Sequence, residues 1–460
     1  MWDKKFKQSD RKKFLHLIQY IVDAIDSGKL KSGEVLPTQR QLSKKLNLSI
    51  GTITKAFKEL ERMGYLSGEI GRGTFVSDIT TEYKNFLYTE SKTPYKYNLG
   101  HFRTSELFNH TIQLNLLSGI KEIAGTPDFF YKLNDFNNCG TEAQKESFIN
   151  WIKPLGFESI DTTDTTLLMS EVSAINTIIN ALTEVGDKIL VEQIGDRITK
   201  DQIAQSSREA TPVKLDAHGI DTSDLEERIK LHQPKLLITQ PTFQMPTTIT
   251  SPKSRKEEIM KICEKYGVII LEDAKTDKFY DAAVNPYYEM NPNIGLYVTG
   301  TYFTLNPALA SSVVVGNSNQ IKKIENQFKL YNWTHSQILL EMCSNLINTG
   351  KADKIVDERK KILESRNICF DEVFDIPPNT SHKYSPFRWL KIPDTWSNAQ
   401  FAQVAYENGI LVRNSDIFLN DKLPPMPYLR ISNGSIHKDE DYKTALVQLT
   451  ELFKEQDFSF

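Results

Sequence analysis

The 460-residue chain is longer than one ordinary domain, and its 39% hydrophobic and 25% charged residues are typical of globular proteins rather than disordered or fibrous ones. Its formal net charge of −3 conceals an asymmetry, because residues 1–76 carry 15 Lys and Arg against 8 Asp and Glu, whereas the remainder carries 41 against 51. A basic N-terminal segment on an acidic body is expected where only that segment contacts a polyanion.

The N-terminal segment begins with a predicted supporting helix and continues as a pair of short helices. Residues 13–27 repeat apolar side chains at helical spacing and end before a glycine. In the next predicted helix, residues 39–46, Leu42 and Leu46 lie four positions apart on one face. Thr38 directly before it can cap the first turn.

A further predicted helix follows Ser49, and its N-terminal end is small and polar. Its apolar stripe consists of Ile53, Ala56, Phe57 and Leu60. Residues 67–73 then form a polar, glycine-bearing tip between two short apolar segments, which predicts a two-stranded wing. A winged helix-turn-helix inserts the N-terminal end of its second helix into the major groove of DNA. The expected DNA contacts are Thr38, Arg40, Ser49, Gly51, Thr52, Thr54, Lys55, Gly71 and Arg72.

Three motifs of this segment match those of a known family. The matching residues are Leu36, Pro37, Arg40, Leu42, Ser49, Thr52, Ala56, Gly71, Gly73, Thr74, Phe75 and Val76. On these residues the segment resembles the DNA-binding domain of GntR-superfamily repressors, which implies a double-stranded DNA operator as partner. Ile50 stands where the family often carries an arginine, so the resemblance implies weaker or differently distributed phosphate contacts there.

The rest of the chain divides into a linker, a large domain and a small subdomain. Residues 77–97 are polar and irregular and are predicted to link residues 1–76 to the body. Between residues 98 and 359, strand-like and helical segments alternate, which predicts βαβ units and a mostly parallel sheet of an α/β fold. Residues 360–460 combine helices with short strand-like segments and are predicted to form a small α+β subdomain.

Six short motifs follow one another along this body. They lie at residues 168–170, 186–192, 244–247, 270–273, 300–302 and 428–431. Their order resembles a fold-type I aminotransferase, and together with the N-terminal segment it resembles the MocR-type regulators, a GntR subgroup. The resemblance implies a homodimer. It also implies that Asp273 corresponds to the aspartate that pairs with the pyridinium nitrogen of pyridoxal phosphate, and Arg430 to the arginine that clamps a carboxylate.

The residues with which that family holds pyridoxal phosphate are replaced. Thr304 stands at the position of the lysine that forms the internal aldimine, and a hydroxyl cannot form an imine. Glu171 replaces the usual glycine at the phosphate turn, where an acidic side chain would repel a phosphate. The phosphate-binding arginine aligns with Ala310, the stacking aromatic residue with Asp196 and the tyrosine with Lys275. We therefore expect neither a cofactor nor enzymatic activity.

Four residues are candidates for an effector site: Arg430, Asp273, Lys275 and Glu171. Lys275 lies two residues from Asp273 and therefore on the same face of a strand. We expect it to pair with Asp273 or Glu171, which would compensate the charge that a cofactor otherwise supplies. Arg430 is expected to bind a small anionic molecule through its planar fork. In the alternative interpretation, Lys275 is a relocated imine lysine of a pyridoxal phosphate-binding regulator or an active aminotransferase.

The sequence thus predicts a cytoplasmic, DNA-binding transcriptional regulator whose body serves dimerisation and the sensing of an anionic effector. The four cysteines are far apart and show no metal-binding spacing, which indicates reduced thiols and no metal site. No run of about 18 apolar residues is present, so we expect no membrane partner. A dimeric scaffold that binds DNA without any effector is a further alternative.

Overall fold

The computed structural model describes residues 13–26, 29–31, 33–62, 66–69, 73–76, 95–128, 131, 138–377, 380–393, 396–419 and 426–454. The chain divides into two compact units, Met1–Thr93 and Pro94–Phe460. The division falls inside the segment that the sequence predicts to be a linker.

The first unit contains three helices followed by a two-stranded antiparallel ribbon. Its elements are α1 (Lys13–Asp26), α2 (Gln39–Leu46), α3 (Ile50–Arg62), β1 (Leu66–Glu69) and β2 (Gly73–Val76). A capping box begins α2, because the Thr38 hydroxyl accepts from the Gln41 N–H and the Gln41 side chain accepts from the Thr38 N–H. The buried apolar side chains include Leu42, Leu46, Ile53, Ala56, Phe57 and Leu60. The predicted winged helix-turn-helix is confirmed.

The second unit is built on a seven-stranded sheet. Its strands are β4 (Thr165–Leu168), β5 (Lys188–Glu192), β6 (Glu209–Val213), β9 (Leu236–Thr239), β10 (Ile269–Asp273), β11 (Gly295–Gly300) and β12 (Ser312–Val315), in the order β4-β12-β11-β10-β9-β5-β6. Strands β7 (Leu215–Asp216) and β8 (Gly219–Ile220) form a separate hairpin. In the large sheet β12 runs antiparallel to both neighbours, and the other neighbours pair in parallel. The predicted mostly parallel sheet is confirmed.

Helices cover both faces of this sheet. They are α4 (His110–Ala124), α5 (Glu142–Ile152), α6 (Glu171–Leu182), α7 (Arg197–Gln205), α8 (Thr222–His232), α9 (Lys253–Tyr266), α10 (Tyr287–Met290), α11 (Ser318–Tyr331) and α12 (Gln337–Asn348). Successive residues of β12, Val313 and Val314, belong to two different apolar clusters, as expected for a strand buried on both sides. None of the described helices is long and apolar enough to cross a membrane.

The C-terminal part forms a smaller α+β subdomain. Its elements are α13 (Lys351–Phe374), β13 (Phe387–Lys391), α14 (Asn398–Glu407), β14 (Ile410–Leu411), β15 (Arg413–Asn414), β16 (Tyr428–Ser432) and α15 (Asp439–Lys454). Strands β13, β16 and β15 make an antiparallel sheet, and β14 pairs in parallel with β3 (Tyr97–Asn98). Two predicted boundaries change. Tyr97 belongs to this subdomain rather than to the linker, and the boundary at residues 359 and 360 falls inside the continuous helix α13.

Candidate functional site

The predicted DNA-contact residues that the structure describes lie at the start of α2 and along the first turns of α3. The exposed members are Thr38, Arg40, Ser49, Gly51 and Lys55. The half-buried members are Thr52 and Thr54. Gly71 and Arg72, at the tip of the wing, lie outside the described residues.

The N-terminal end of α3 is held by hydroxyl groups and remains open. Ser49 Oγ accepts from the Thr52 N–H at 3.2 Å. Thr54 Oγ1 lies 2.7 Å from Gln39 Oε1 and joins α3 to α2, a contact that the sequence did not indicate. A Cβ at Gly51 would meet Ser49 Oγ at 4.0 Å and nothing closer, so another molecule can approach the backbone there. This geometry suits entry into a major groove.

Two side chains of α3 depart from a simple basic recognition surface. Lys55 Nζ lies 4.2 Å from the centroid of the Phe14 ring, a cation–π contact that draws the ammonium group towards α1. Ile50, at the position where the resembling family often carries arginine, is 50% exposed. The exposed N-terminal end of α3 therefore presents hydroxyl groups and an apolar side chain to DNA rather than a cluster of positive charges.

In the second unit, Lys275 lies in a buried ion-pair triad. Its Nζ is 2.8 Å from Asp273 Oδ2 and 2.9 Å from Asp196 Oδ2, and Lys275 is 3% exposed. The predicted pair with Asp273 is confirmed, but the second partner is Asp196 rather than Glu171. Burial lowers the pKa of Lys275, and the two carboxylates outweigh burial and raise that pKa above its usual value. The amine is therefore a held ammonium group, which cannot attack a carbonyl carbon.

Glu171 is the first residue of α6 and turns inwards. It is 1% exposed, its Oε1 has no hydrogen-bond partner, and burial raises its pKa to about 7. A Cβ at Gly300, the last residue of β11, would lie 2.9 Å from the Glu171 carboxyl group. The carboxyl group thus fills the space between the start of α6 and the end of β11, where the resembling family places a phosphate.

The contacts of Thr304 are structural. It is fully buried, and its hydroxyl donates to the Gly300 carbonyl at 2.7 Å. Its own carbonyl accepts from Nη1 of Arg359, a buried residue of α13. The segment is held as structural backbone between the sheet and α13.

The space beside Asp273 is small. The cavity at the ends of β5, β9 and β10 measures about 30 Å³ and is lined by Glu192, Asp196, Gln240 and Asp273 among others. By the same measure one water needs roughly 10–15 Å³, so the cavity suits one or two waters. With a carboxyl group at the phosphate position and no free amine at the imine position, these residues do not fit pyridoxal phosphate in the manner of the resembling family.

Arg430 on β16 lies buried among aromatic rings. Its guanidinium carbon is 4.7 Å from the Phe387 ring centroid and 4.8 Å from that of Phe418. Nη2 donates to the Gly100 carbonyl, Nη1 lies 3.1 Å from Met245 Sδ, and Nε has no partner. Burial lowers the pKa of Arg430 to about 10. Within the described part of the chain, no carboxylate forms an ion pair with it.

A second cation lies beside Arg430. Arg413 on β15 is its direct partner across the sheet, and Arg413 Nη2 donates to His101 Nε2. Burial, followed by the charges of Arg413, Arg103 and Arg430, lowers the pKa of His101 to about 4, so its imidazole is neutral at pH 7. Sequence reasoning missed His101 and Arg413, because their proximity depends on the register of two strands.

Aromatic rings join the two groups of predicted residues. Lys275 Nζ lies 5.8 Å from the Phe303 ring centroid, and the ring of Phe102 is 6.1 Å from that of Phe303 and 5.2 Å from that of Phe387, which contacts Arg430. The structure therefore brings Asp273 and Lys275 into direct contact and places Arg430 beyond a row of phenylalanines. It leaves Glu171 without a bond to the triad.

Comparisons with known proteins agree with this division. Residues 14–76 match the family described as bacterial regulatory proteins, gntR family. The chain is 24% identical over 453 residues to the uncharacterized HTH-type transcriptional regulator YdeF of Bacillus subtilis (strain 168), covering 98% of this chain and 96% of that protein. It is 22% identical over 485 residues to the regulator YdfD of the same organism, covering 98% of both.

Among solved structures, an archaeal alanine:glyoxylate aminotransferase superposes with a TM-score of 0.70 at 18% identity, covering 87% of this chain and 99% of that one. At this identity the likeness shows the fold. The chain is a transcriptional regulator with a gntR-type helix-turn-helix domain and an aminotransferase-like domain.

Among the described residues, no group of His, Cys, Asp and Glu is arranged to hold a metal ion.

Proposed function

We propose that the chain is a cytoplasmic regulator of the MocR type that binds a double-stranded DNA operator as a homodimer and senses a small anionic effector without pyridoxal phosphate chemistry. In this proposal the first unit contacts DNA and the aminotransferase-like unit holds the effector. The proposal of an anionic effector rests on Arg430, which is buried and has no carboxylate partner among the described residues.

The surroundings of Arg430 favour an anionic ligand. A buried charge without an ion-pair contact is costly. The charge of Asp196 favours the Arg430 guanidinium without such a contact among the described residues, and Arg413 on the neighbouring strand opposes it. A carboxylate or phosphate can accept two hydrogen bonds from one edge of a guanidinium group, and the unpaired Nε lies on such an edge. The rings of Phe387 and Phe418 both contact that group and make its surroundings apolar. A bound anion would therefore give the buried Arg430 charge an ion-pair partner and stabilise the folded protein.

Thermal unfolding with added anions tests the effector site. We expect at least one of succinate, glutamate and inorganic phosphate, each at millimolar concentration, to raise the unfolding midpoint, since a ligand that binds the folded state stabilises it. Arg430→Lys, which keeps the charge and loses the fork, should weaken the shift, and Arg430→Gln should remove it. Arg197→Gln, at an exposed arginine of α7, serves as the control. A shift that persists in Arg430→Gln would remove Arg430 from the site.

The pocket residues support the absence of pyridoxal phosphate chemistry. The lysine that forms an ion pair with Asp273 is Lys275, and the carboxylates of Asp273 and Asp196 hold it as an ammonium group. The test is an absorbance spectrum after incubation with pyridoxal phosphate and gel filtration, followed by borohydride reduction and mass spectrometry. We expect no band near roughly 400–430 nm, where aldimines absorb, and no reduced adduct. A reduced adduct on Lys275 would instead support a pyridoxal phosphate-binding regulator or an aminotransferase.

An exposed apolar patch supports the homodimer. Leu330, Tyr331 and Trp333, which follow one another around the end of α11, are 74%, 76% and 89% exposed, and Ile338 at the start of α12 is 43% exposed. His335, in the same segment, is buried, and its Nε2 lies 3.0 Å from the Leu168 carbonyl, which fixes the segment against the end of β4. Exposed apolar groups on an anchored segment are typical of protein interfaces.

A further inference from the structure

Ile50, the first residue of α3, places an apolar side chain on the surface that meets DNA in the proposed function. It is 50% exposed, whereas the next isoleucine of the helix, Ile53, is fully buried in the core of the first unit. Single exposed apolar side chains are common on proteins, so exposure alone assigns no role. The position of Ile50 does assign one, because a helix-turn-helix brings the first turn of its second helix to the base edges of the major groove.

The hydroxyl groups around Ile50 already have partners within the first unit. Ser49 Oγ lies 2.8 Å from Thr52 Oγ1. Thr54 Oγ1 lies 2.7 Å from Gln39 Oε1 and 2.9 Å from the Ile50 carbonyl oxygen. These bonds fix the first turn of α3 and the backbone of Ile50, so the isoleucine side chain is presented to DNA from a hydrogen-bonded support.

The composition of this turn restricts the ways in which it can read a base. Residues 49–54 contain no Arg, Lys, Asn, Gln, Asp or Glu. Those are the side chains that read guanine, adenine and cytosine through hydrogen bonds in the major groove, whereas an apolar side chain reads the C5-methyl group of thymine. Lys55, the next cation along the helix, is drawn towards α1 by the Phe14 ring. The readout that suits Ile50 is therefore an apolar contact with thymine.

Gly51 makes a contact of this kind possible. An isoleucine reaches less far from the backbone than the long polar side chains do, so α3 must lie close to the bases. A Cβ at Gly51 would meet Ser49 Oγ at 4.0 Å and nothing closer, so this side of the helix is open. The missing side chain lets the backbone approach the groove, and Ile50 beside it can then touch a methyl group.

We infer that Ile50 selects a thymine in the operator, through contact of its side chain with the thymine C5-methyl group in the major groove. This inference rests on the proposed operator binding and adds the base that one residue of α3 recognises. The contact also removes from water the apolar surface that Ile50 exposes in the free protein, which stabilises the complex.

Deoxyuridine tests the inference without any change to the protein, because it differs from thymidine only in lacking the C5-methyl group. An operator is selected from random duplexes with the full-length parent protein, and each thymine is then replaced by deoxyuridine, one at a time. Replacement at one position should weaken binding about fourfold, the effect of removing one methyl group from an apolar contact. The same replacement should leave the affinity of Ile50→Ala unchanged, since that variant has already lost the contact.

Two further variants assign the effect to Ile50. Ile198→Ala makes the same change at an isoleucine of α7 that is likewise 50% exposed, and it should respond to deoxyuridine as the parent does. Ile50→Arg should select guanine in place of thymine at the sensitive operator position, because arginine donates two hydrogen bonds to the O6 and N7 acceptors of guanine.

The outcomes separate this inference from the proposed function. If the parent binds its selected operator and no deoxyuridine replacement weakens binding, the inference is overturned while operator binding stands. An equal loss in Ile50→Ala and the parent would also overturn it, because another residue would then read the methyl group. If no duplex is selected at all, the proposed operator binding fails and the inference fails with it.

Discussion

The second unit contains two buried cations that differ in their contacts. Lys275 and Arg430 are both more than nine-tenths buried, yet their surroundings are opposite. Lys275 contacts two carboxylates, whereas Arg430 contacts two aromatic faces, a carbonyl and a thioether sulfur. The first cation forms two ion pairs within the protein, whereas the second has no ion-pair contact among the described residues and feels only the more distant charge of Asp196. This difference explains why Lys275 is expected to be structural and Arg430 to be open to a ligand.

Removal of the Lys275 charge is expected to destabilise the second unit. Lys275→Met leaves the buried Asp273 and the half-buried Asp196 without this counter-ion, and breaking a buried pair costs about 3–5 kcal/mol. Urea unfolding at pH 7 measures the free energy. The double variant Lys275→Met/Asp273→Asn should recover part of the loss, since it removes one of the stranded charges. If the single variant unfolds at the same urea concentration as the parent, the triad contributes nothing to stability.

Glu171 is expected to make stability depend on pH. Burial raises its pKa from 4.5 to about 7 in the folded state, so the folded protein binds the proton more tightly than the unfolded chain. The resulting stabilisation is complete below pH 4.5 and is lost as the pH rises through about 7.

The test compares the unfolding free energy of Glu171→Gln with that of the parent between about pH 5 and pH 8, a range that spans the expected titration of Glu171. The parent should lose stability relative to the variant by roughly 2–3 kcal/mol as the pH rises. Glu184→Gln, at an exposed glutamate, should follow the parent at every pH. Parallel pH profiles of Glu171→Gln and the parent would contradict a raised pKa of Glu171.

Among the elements, the starts of helices and the ends of strands position the candidate residues. In the first unit, α3 begins with a serine cap and an open glycine, so its N-terminal turn is both rigid and accessible. In the second unit, β4, β5, β9, β10 and β11 end at the same edge of the sheet, where open α/β folds place their ligands. The residues at that edge, including Asp273 and Glu171, are polar and buried.

A negative charge at the start of α3 is expected to prevent DNA binding. Gly51→Glu places a carboxylate where the phosphates of a bound duplex would approach, and the open space around Gly51 lets the first unit fold normally. An operator selected from random duplexes with the parent protein serves in a mobility-shift assay, and affinity should fall at least about tenfold. Asn319→Glu adds the same charge to the body and should bind like the parent. Equal affinity of Gly51→Glu would move the DNA contact away from α3.

For the whole molecule, we expect a homodimer that forms through the exposed apolar patch at Leu330, Tyr331 and Trp333. A dimer presents two DNA-binding units to one operator, and the affinity for a two-part operator then exceeds that of a single unit. Trp333→Asp should shift the sedimentation coefficient from that of a dimer to that of a monomer and reduce affinity for the operator. Leu231→Asp, at an exposed leucine of α8, is the matched control. An unchanged coefficient for Trp333→Asp would place the interface elsewhere.

The sequence by itself determined the features that short-range patterns encode. The capped helices, the wing and the order of the six motifs each depend on residues within one or two elements, and the structure has the expected fold. The prediction that the imine lysine is missing depends on a motif in the same way, because a residue type at one motif position needs no knowledge of distant contacts. The pair between Lys275 and Asp273 was predicted from strand spacing and is present, but β10 ends at Asp273 and Lys275 lies in the turn that follows, so the turn rather than the strand brings the two together.

Only the tertiary structure decided the long-range contacts. Asp196 reaches Lys275 from 79 positions away, and Arg413 meets Arg430 through strand register. The aromatic enclosure of Arg430 forms where separate elements pack together. No local period or motif specifies such neighbours, because they depend on how the chain closes its sheets and helices around a common core. Local chemistry therefore identified the type of protein, and packing decided which of its buried cations have ion-pair partners.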